Sequence, residues 1–122
     1  MNVDEKIELA YGLARDLAGV DYNELSKWMG FLKTKGDLSA ALNLAKHFSE
    51  SPSLRPDPRN SYRLISDVLL DMLSKSEKLK ELPLVELLEI IGYARRIIVW
   101  QSATSKKEER KRGGKRKGKR RT

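Results

Sequence analysis

The stretch PLVELLEIIGYARRIIVWQSA, from Pro83 to Ala103, decides the fold. Its apolar residues recur at helical spacing and cover more than half of a helix circumference, and they include Leu84, Leu87, Leu88, Ile91, Ala94 and Ile98. Pro83 suits the first turn of a helix, where a backbone N–H has no intrahelical partner. A helix with so wide an apolar surface is usually packed by other helices on most sides. The stretch therefore predicts the central helix of a helical bundle.

Three shorter helices are predicted upstream, each bounded by explicit start and stop signals. The first begins after Asn2, which opens a capping box, and stops at Gly19. The second begins after Asp21, at another such box, and stops at Gly36. The third begins at Asp37. Short helices with apolar faces at three- and four-residue spacing pack as a bundle.

A proline-rich loop at about 50–60, SPSLRPDPRN, divides these helices from two longer ones. Proline lacks a backbone donor and pushes the preceding residue out of helical angles. A fourth helix is predicted from about Arg59 to Lys80, and no segment shows the alternation of a strand. The sequence thus predicts an all-α fold, a single compact bundle of about five helices over residues 1–105.

The C-terminal segment SKKEERKRGGKRKGKRRT, Ser105–Thr122, differs sharply from the rest. The formal net charge of the chain is +8. Residues 1–105 hold 14 basic and 15 acidic residues, and residues 106–122 hold eleven basic and two acidic ones, so the charges are −1 and +9. A segment so basic and without apolar residues cannot offset the entropy of ordering, so a disordered tail is predicted over 106–122.

The sequence offers little for catalysis. Cysteine is absent, so thiolate metal sites are excluded, and with His47 as the one histidine no Ser/His/Asp constellation is assembled from the sequence. Isolated glycines form no phosphate-binding loop. We therefore expect no catalytic residue, no metal site, no cofactor and no enzymatic activity. The acidic N-terminus resembles no secretory signal and no apolar run is long enough to span a membrane, which predicts a soluble, cytoplasmic protein.

The charge of the tail predicts a polyanionic partner. Each phosphate that a cation neutralises releases condensed counterions, so a basic arm gives affinity for RNA or DNA without reading sequence. The candidate residues are Lys106, Lys107, Arg110, Lys111, Arg112, Lys115, Arg116, Lys117, Lys119, Arg120 and Arg121. Another acidic partner, a membrane surface or a role in solubility would also explain such a tail.

Five arginines of the folded part are further candidates for phosphate contacts: Arg55, Arg59, Arg63, Arg95 and Arg96. The first three recur at four-residue spacing, and Arg59 and Arg63 share one helix face if the fourth helix begins near Pro58. Arg95 and Arg96 are expected to extend that surface. Alternatively, these arginines pair with Asp57, Asp67 or nearby glutamates. Trp28 and Trp100 are expected in the core or in an interface rather than as base-stacking platforms. A helix-turn-helix is disfavoured, because the third helix offers few side chains for base edges.

The segment LVELLEIIGYARRIIVW, Leu84 to Trp100, resembles the last helix of the small helical subunits of type III CRISPR effector complexes. In that family an apolar helix carries an internal glutamate and then an aromatic residue, matched here by Glu89 and Tyr93. The proline-rich loop and the basic tail depart from the family pattern. The resemblance implies a non-catalytic, CRISPR-associated subunit in antiviral defence, which stacks along a guide-RNA filament and contacts the phosphate backbone of paired RNA.

Other functions fit the same features. The chain would serve equally as an accessory interaction subunit of a transcription or translation assembly, or as a small DNA-binding protein. Phosphate contacts do not distinguish RNA from DNA, since only RNA offers 2′-hydroxyl groups. An apolar last helix with Trp100 at its exposed end would also suit docking to protein subunits of a larger complex or self-association.

Overall fold

The computed structural model describes the side chains of residues 1–104, and beyond them only the course of the last helix as far as Arg121. Helices without any strand make up this described part of the chain, which confirms the all-α bundle. The helices are α1 (Val3–Asp16), α2 (Tyr22–Lys35), α3 (Leu38–Glu50), α4 (Pro56–Lys75), α5 (Glu77–Lys80) and α6 (Leu84–Arg121). For residues 105–121 only the helical course of α6 is described, and the disorder predicted for residues 106–122 stays a prediction.

The first three helices begin where the sequence predicts. The side chain of Asn2 accepts a hydrogen bond from the backbone N–H of Glu5 at 2.8 Å, and Asp21 accepts one from Asn23 at 2.8 Å. Each bond satisfies an N–H group that has no partner within the helix. Gly36 ends α2 in the left-handed conformation, with a φ of 65° that most other residues would adopt only under strain.

The predicted fourth helix is two helices. Helix α4 begins earlier than expected because Pro56 and Pro58 fit its first turn, where a missing N–H costs no hydrogen bond. The expectation that it continues to Lys80 is wrong. Ser76 is extended, with a φ of −143°, and its hydroxyl accepts a hydrogen bond from Leu79 N–H at 3.4 Å to start the one-turn α5. This break allows Leu79 to become buried.

The bundle is arranged around α2, which packs against α3, α4 and α6. Trp28 of α2 is 1% exposed, and its indole N–H donates to the carbonyl oxygen of Ala41 in α3 at 2.7 Å. Helix α6 packs against α1 and α2, and it buries one face that comprises Leu87, Ile90, Ile91, Ala94 and Ile98. Helix α6 therefore buries one face, whereas its sequence predicts packing by other helices on most sides.

Helices α1 and α6 run in the same direction. Lys6 near the start of α1 contacts Glu86 and Glu89 near the start of α6. Ala14 in the last turns of α1 lines the same groove as Ile98. Among the described residues, no helix combines the length and apolar character that crossing a bilayer requires.

Candidate nucleic-acid interface

Three of the candidate arginines form a stripe along the start of α4. Arg55 is the residue that precedes the first turn, and Arg59 and Arg63 follow at one-turn intervals. Arg55 and Arg63 are exposed, whereas Arg59 is half-buried. The guanidinium of Arg63 donates through Nη2 to the carbonyl oxygen of Ser49 at 3.4 Å. That carbonyl lies in the last turn of α3, where the helix dipole favours a cation, so Arg63 also has a structural role.

Arg59 has an unusual environment for a charged group. Its Nε atom is buried and has no hydrogen-bond partner among the described residues. A buried N–H without an acceptor is costly, and the remaining donors of the guanidinium must therefore offset that cost in solvent or in a bound ligand. An anion at the outer edge of this guanidinium would gain charge-assisted hydrogen bonds.

The two arginines of α6 differ from one another. Arg95 donates its Nε–H to the hydroxyl oxygen of Ser26, and its guanidinium carbon lies 5.8 Å from the ring centroid of Tyr22. Both partners belong to α2, so Arg95 fastens α6 to α2 through a hydrogen bond and a cation–π contact. Arg96 is exposed. Of this pair, Arg96 is the one whose donors face solvent.

Arg63 and Arg95 lie on different seams of the bundle. The α4 stripe follows the seam with α3, as the contact from Arg63 to Ser49 records, whereas Arg95 lies on the seam between α2 and α6. A groove of about 670 Å³ opens between the start of α4, the α1–α2 loop and α6. Its lining residues include Asp57, Asn60 and Gln101, and none of the five arginines.

The alternative explanation for these arginines, pairing with carboxylates, is not seen in the part of the chain that the structure describes. Within residues 1–104, none of the five forms an ion pair with Asp57, Asp67 or any other acid. Arg55 and Arg96 in particular keep exposed guanidinium groups. Side chains of the eleven basic residues from Lys106 to Arg121 lie outside the described residues.

A partly buried ionic cluster that the sequence analysis missed joins α1 to α6. The ammonium of Lys6, whose side chain is 11% exposed, lies 3.0 Å from Oε2 of Glu89 and 3.6 Å from Oε1 of Glu86. The phenol of Tyr93 donates to Oε1 of Glu89 at 2.7 Å. The hydrogen bonds from Tyr93 and Lys6 lower the pKa of Glu89, and the bond to Glu89 raises the pKa of Lys6.

Glu89 and Tyr93, the two residues that match the CRISPR family pattern, both belong to this cluster and have a structural role in it. Glu89 and Tyr93 are spaced one turn apart, and together they hold Lys6 in place. A signal for Lys6 existed in the sequence, because it lies four residues before Ala10 and seven before Leu13 on the buried stripe of α1.

The two tryptophans have opposite environments. Trp28 lies in the core as expected, but Trp100 is 66% exposed on α6, one turn after Arg96. His47 is exposed in the last turn of α3. Among the described residues, no group of histidine and acidic side chains is arranged to hold a metal ion.

Comparisons with protein families, with curated proteins and with solved structures found no significant match to this chain.

Proposed function

We propose that this chain is a non-catalytic nucleic-acid-binding protein, an RNA-binding small subunit of a cytoplasmic ribonucleoprotein effector complex. It contacts the phosphate backbone without reading sequence. The observation that carries this proposal is the separation of charge, −1 over residues 1–105 and +9 over residues 106–122. Eleven cations in so short a segment would release counterions from any polyphosphate, which gives affinity for RNA and DNA alike.

The folded part supports the same function through its unpaired arginines. Arg55 and Arg96 are exposed, and Arg59 holds a half-buried guanidinium on the α4 stripe. None of these three arginines forms an ion pair within residues 1–104, so no carboxylate there competes for their donors. Guanidinium groups fixed by helices would orient the nucleic acid that the basic segment attracts.

Membership of a larger complex is supported by the outer face of α1. Val3, Ile7 and Tyr11 are exposed at four-residue spacing, with Val3 55% and Tyr11 58% exposed. An apolar stripe on a surface helix is a common docking surface for another protein subunit. Protein partners are therefore part of the proposal, alongside RNA.

Salt dependence of binding tests the proposal. The logarithm of affinity for single strands falls with the logarithm of salt concentration by about 0.7 for each neutralised phosphate. If about five of the eleven cations engage at once, deletion of residues 106–122 should flatten the slope for an oligouridylate by about 3.5. The measurement is fluorescence anisotropy with a labelled oligonucleotide over a series of salt concentrations.

A matched control separates charge from chain length. A full-length variant with glutamine at all eleven basic positions of the tail should behave like the deletion. A variant that exchanges each lysine for arginine and each arginine for lysine should keep the original slope. If the deletion leaves the slope unchanged, the tail does not supply the phosphate contacts. If the intact chain binds neither RNA nor DNA at low salt, the proposed function is wrong.

A further inference from the structure

Trp100 has the surroundings of a base-stacking residue. Its side chain is 66% exposed, although the core position Ile98 lies only two residues earlier. Arg96, one turn before it on the same side of α6, is also exposed. An exposed tryptophan beside an exposed guanidinium offers a ring face for a base and a cation for the neighbouring phosphate.

Trp100 and Tyr11 are both exposed, but the residues around them differ in charge. From Ile90 to Lys107 the chain contains no acidic residue, and it contains four basic ones, Arg95, Arg96, Lys106 and Lys107. Trp100 lies within this stretch, six residues before the first cation of the tail. No carboxylate therefore separates Trp100 from Lys106 and Lys107, whereas Glu108 and Glu109 lie between those two cations and the other nine.

Tyr11 is a different case. It is 58% exposed, but Glu8 and Asp4 precede it by about one and two turns on α1 and are exposed beside it. Carboxylates repel a phosphate backbone, so Tyr11 is better suited to a protein contact. The two exposed rings thus differ in electrostatics rather than in exposure.

We infer that Trp100 stacks on an unpaired base of single-stranded nucleic acid, with Arg96 on the adjacent phosphate. This inference rests on the proposed function and adds to it a preference for unpaired strands. Bases within a duplex are already stacked and paired, so a platform on the protein gains nothing from them. Every base has a π-face, so stacking of this kind does not require a particular sequence.

Tryptophan fluorescence tests the inference, because Trp28 is 1% exposed and acts as an internal reference. Titration of the full chain with an oligouridylate should quench the Trp100 part of the emission, and a duplex of equal length should not. In Trp100→Phe the remaining emission, from Trp28, should not change upon binding. Trp100→Ala should bind the single strand about fivefold to a hundredfold more weakly and the duplex as before. Trp100→Phe should retain most of the affinity.

Tyr11→Ala is the matched control, and it should leave single-strand affinity unchanged. If Trp100→Ala binds the single strand as the original chain does, while loss of the tail still flattens the salt slope, the inference is wrong and the proposed function stands. A change of oligomeric state in Trp100→Ala, measured by sedimentation, would show that Trp100 is a protein contact and overturn the inference. If the original chain binds no nucleic acid, both fail.

Discussion

The ammonium of Lys6 lies 3.0 Å from a carboxylate oxygen of Glu89, a contact that joins α1 to α6 across 83 positions of the chain. Glu86 supports it at 3.6 Å, and the phenol of Tyr93 binds the other oxygen of Glu89. Two helices that run in the same direction are thereby fixed in register at one end. The contact lies at the margin of the core, where truncation of one partner leaves the other charge without compensation.

Lys6→Ala should lower the midpoint of thermal unfolding more than a comparable change at an exposed ion pair. Lys75→Ala is the matched control, because Lys75 lies 2.9 Å from Asp71 on the surface of α4 with a side chain that is 73% exposed. Surface pairs of this kind contribute little to stability. Differential scanning calorimetry of the two variants makes the comparison. If both variants lower the midpoint of thermal unfolding by the same amount, the Lys6 cluster contributes no more than an ordinary surface ion pair.

The lowered pKa of Glu89 predicts a loss of stability in acid. A carboxyl whose pKa is lower in the folded state than its ordinary value of 4.5 stabilises the fold above that value. As the pH falls below it, the unfolded chain takes up a proton first, and the contribution disappears as the pH passes the pKa of the folded state. Glu89→Gln should therefore reduce the dependence of the unfolding free energy on pH as the pH falls below the ordinary value of 4.5. Chemical denaturation at several pH values measures this.

Tyr93→Phe tests the cause of that shift. The hydrogen bond from Tyr93 is the largest contribution to the lowered pKa of Glu89, so its removal should weaken the acid dependence while Lys6 remains. Tyr11→Phe removes an exposed phenol and serves as the control. An unaltered pH profile in Tyr93→Phe would assign the shift to Lys6 alone.

Truncation of Ile91 should reduce the free energy of unfolding more than truncation of Leu88, although the sequence pattern assigns both residues to one apolar face. Ile91 is fully buried between α6 and the bundle, whereas Leu88 is half-buried. Ile91→Ala should lower the free energy of unfolding by roughly 2–5 kcal/mol, the range for core truncations that leave a cavity. Leu88→Ala should cost clearly less. Urea denaturation gives both values, and the reverse order would contradict the packing of α6.

Local signals predicted the helices well, because caps and turns depend on neighbouring residues. Asn2, Asp21 and Gly36 act as expected in the structure. The break at Ser76 was missed because the apolar spacing of α4 runs on past it, and the burial of Leu79 that accompanies the break depends on tertiary packing. For Trp100 the sequence analysis expected either the core or an interface, and the structure leaves its side chain 66% exposed.

The candidate interface was harder to predict than the fold. Arg59 and Arg63 share one face of α4, as their spacing predicts from helix geometry, and Arg55 immediately precedes the helix. The link between this stripe and Arg95 required the relative placement of α4 and α6, which one sequence does not contain. In the structure Arg95 instead contacts Ser26 and Tyr22 of α2.

This difference yields the last prediction, which separates structural from binding arginines. Arg95→Ala should lower the midpoint of thermal unfolding, because it removes the hydrogen bond to Ser26 and the contact with the Tyr22 ring. The double variant Arg55→Gln with Arg96→Gln should leave the midpoint unchanged, because both side chains are exposed and form no ion pair within residues 1–104. If both arginines neutralise phosphates, the double variant should flatten the salt slope for a single strand by about 1.4, which is two contacts at about 0.7 each. If the double variant keeps the salt slope of the original chain, these two arginines do not contact phosphates. The basic segment beyond Ser105 would then be the source of the phosphate contacts.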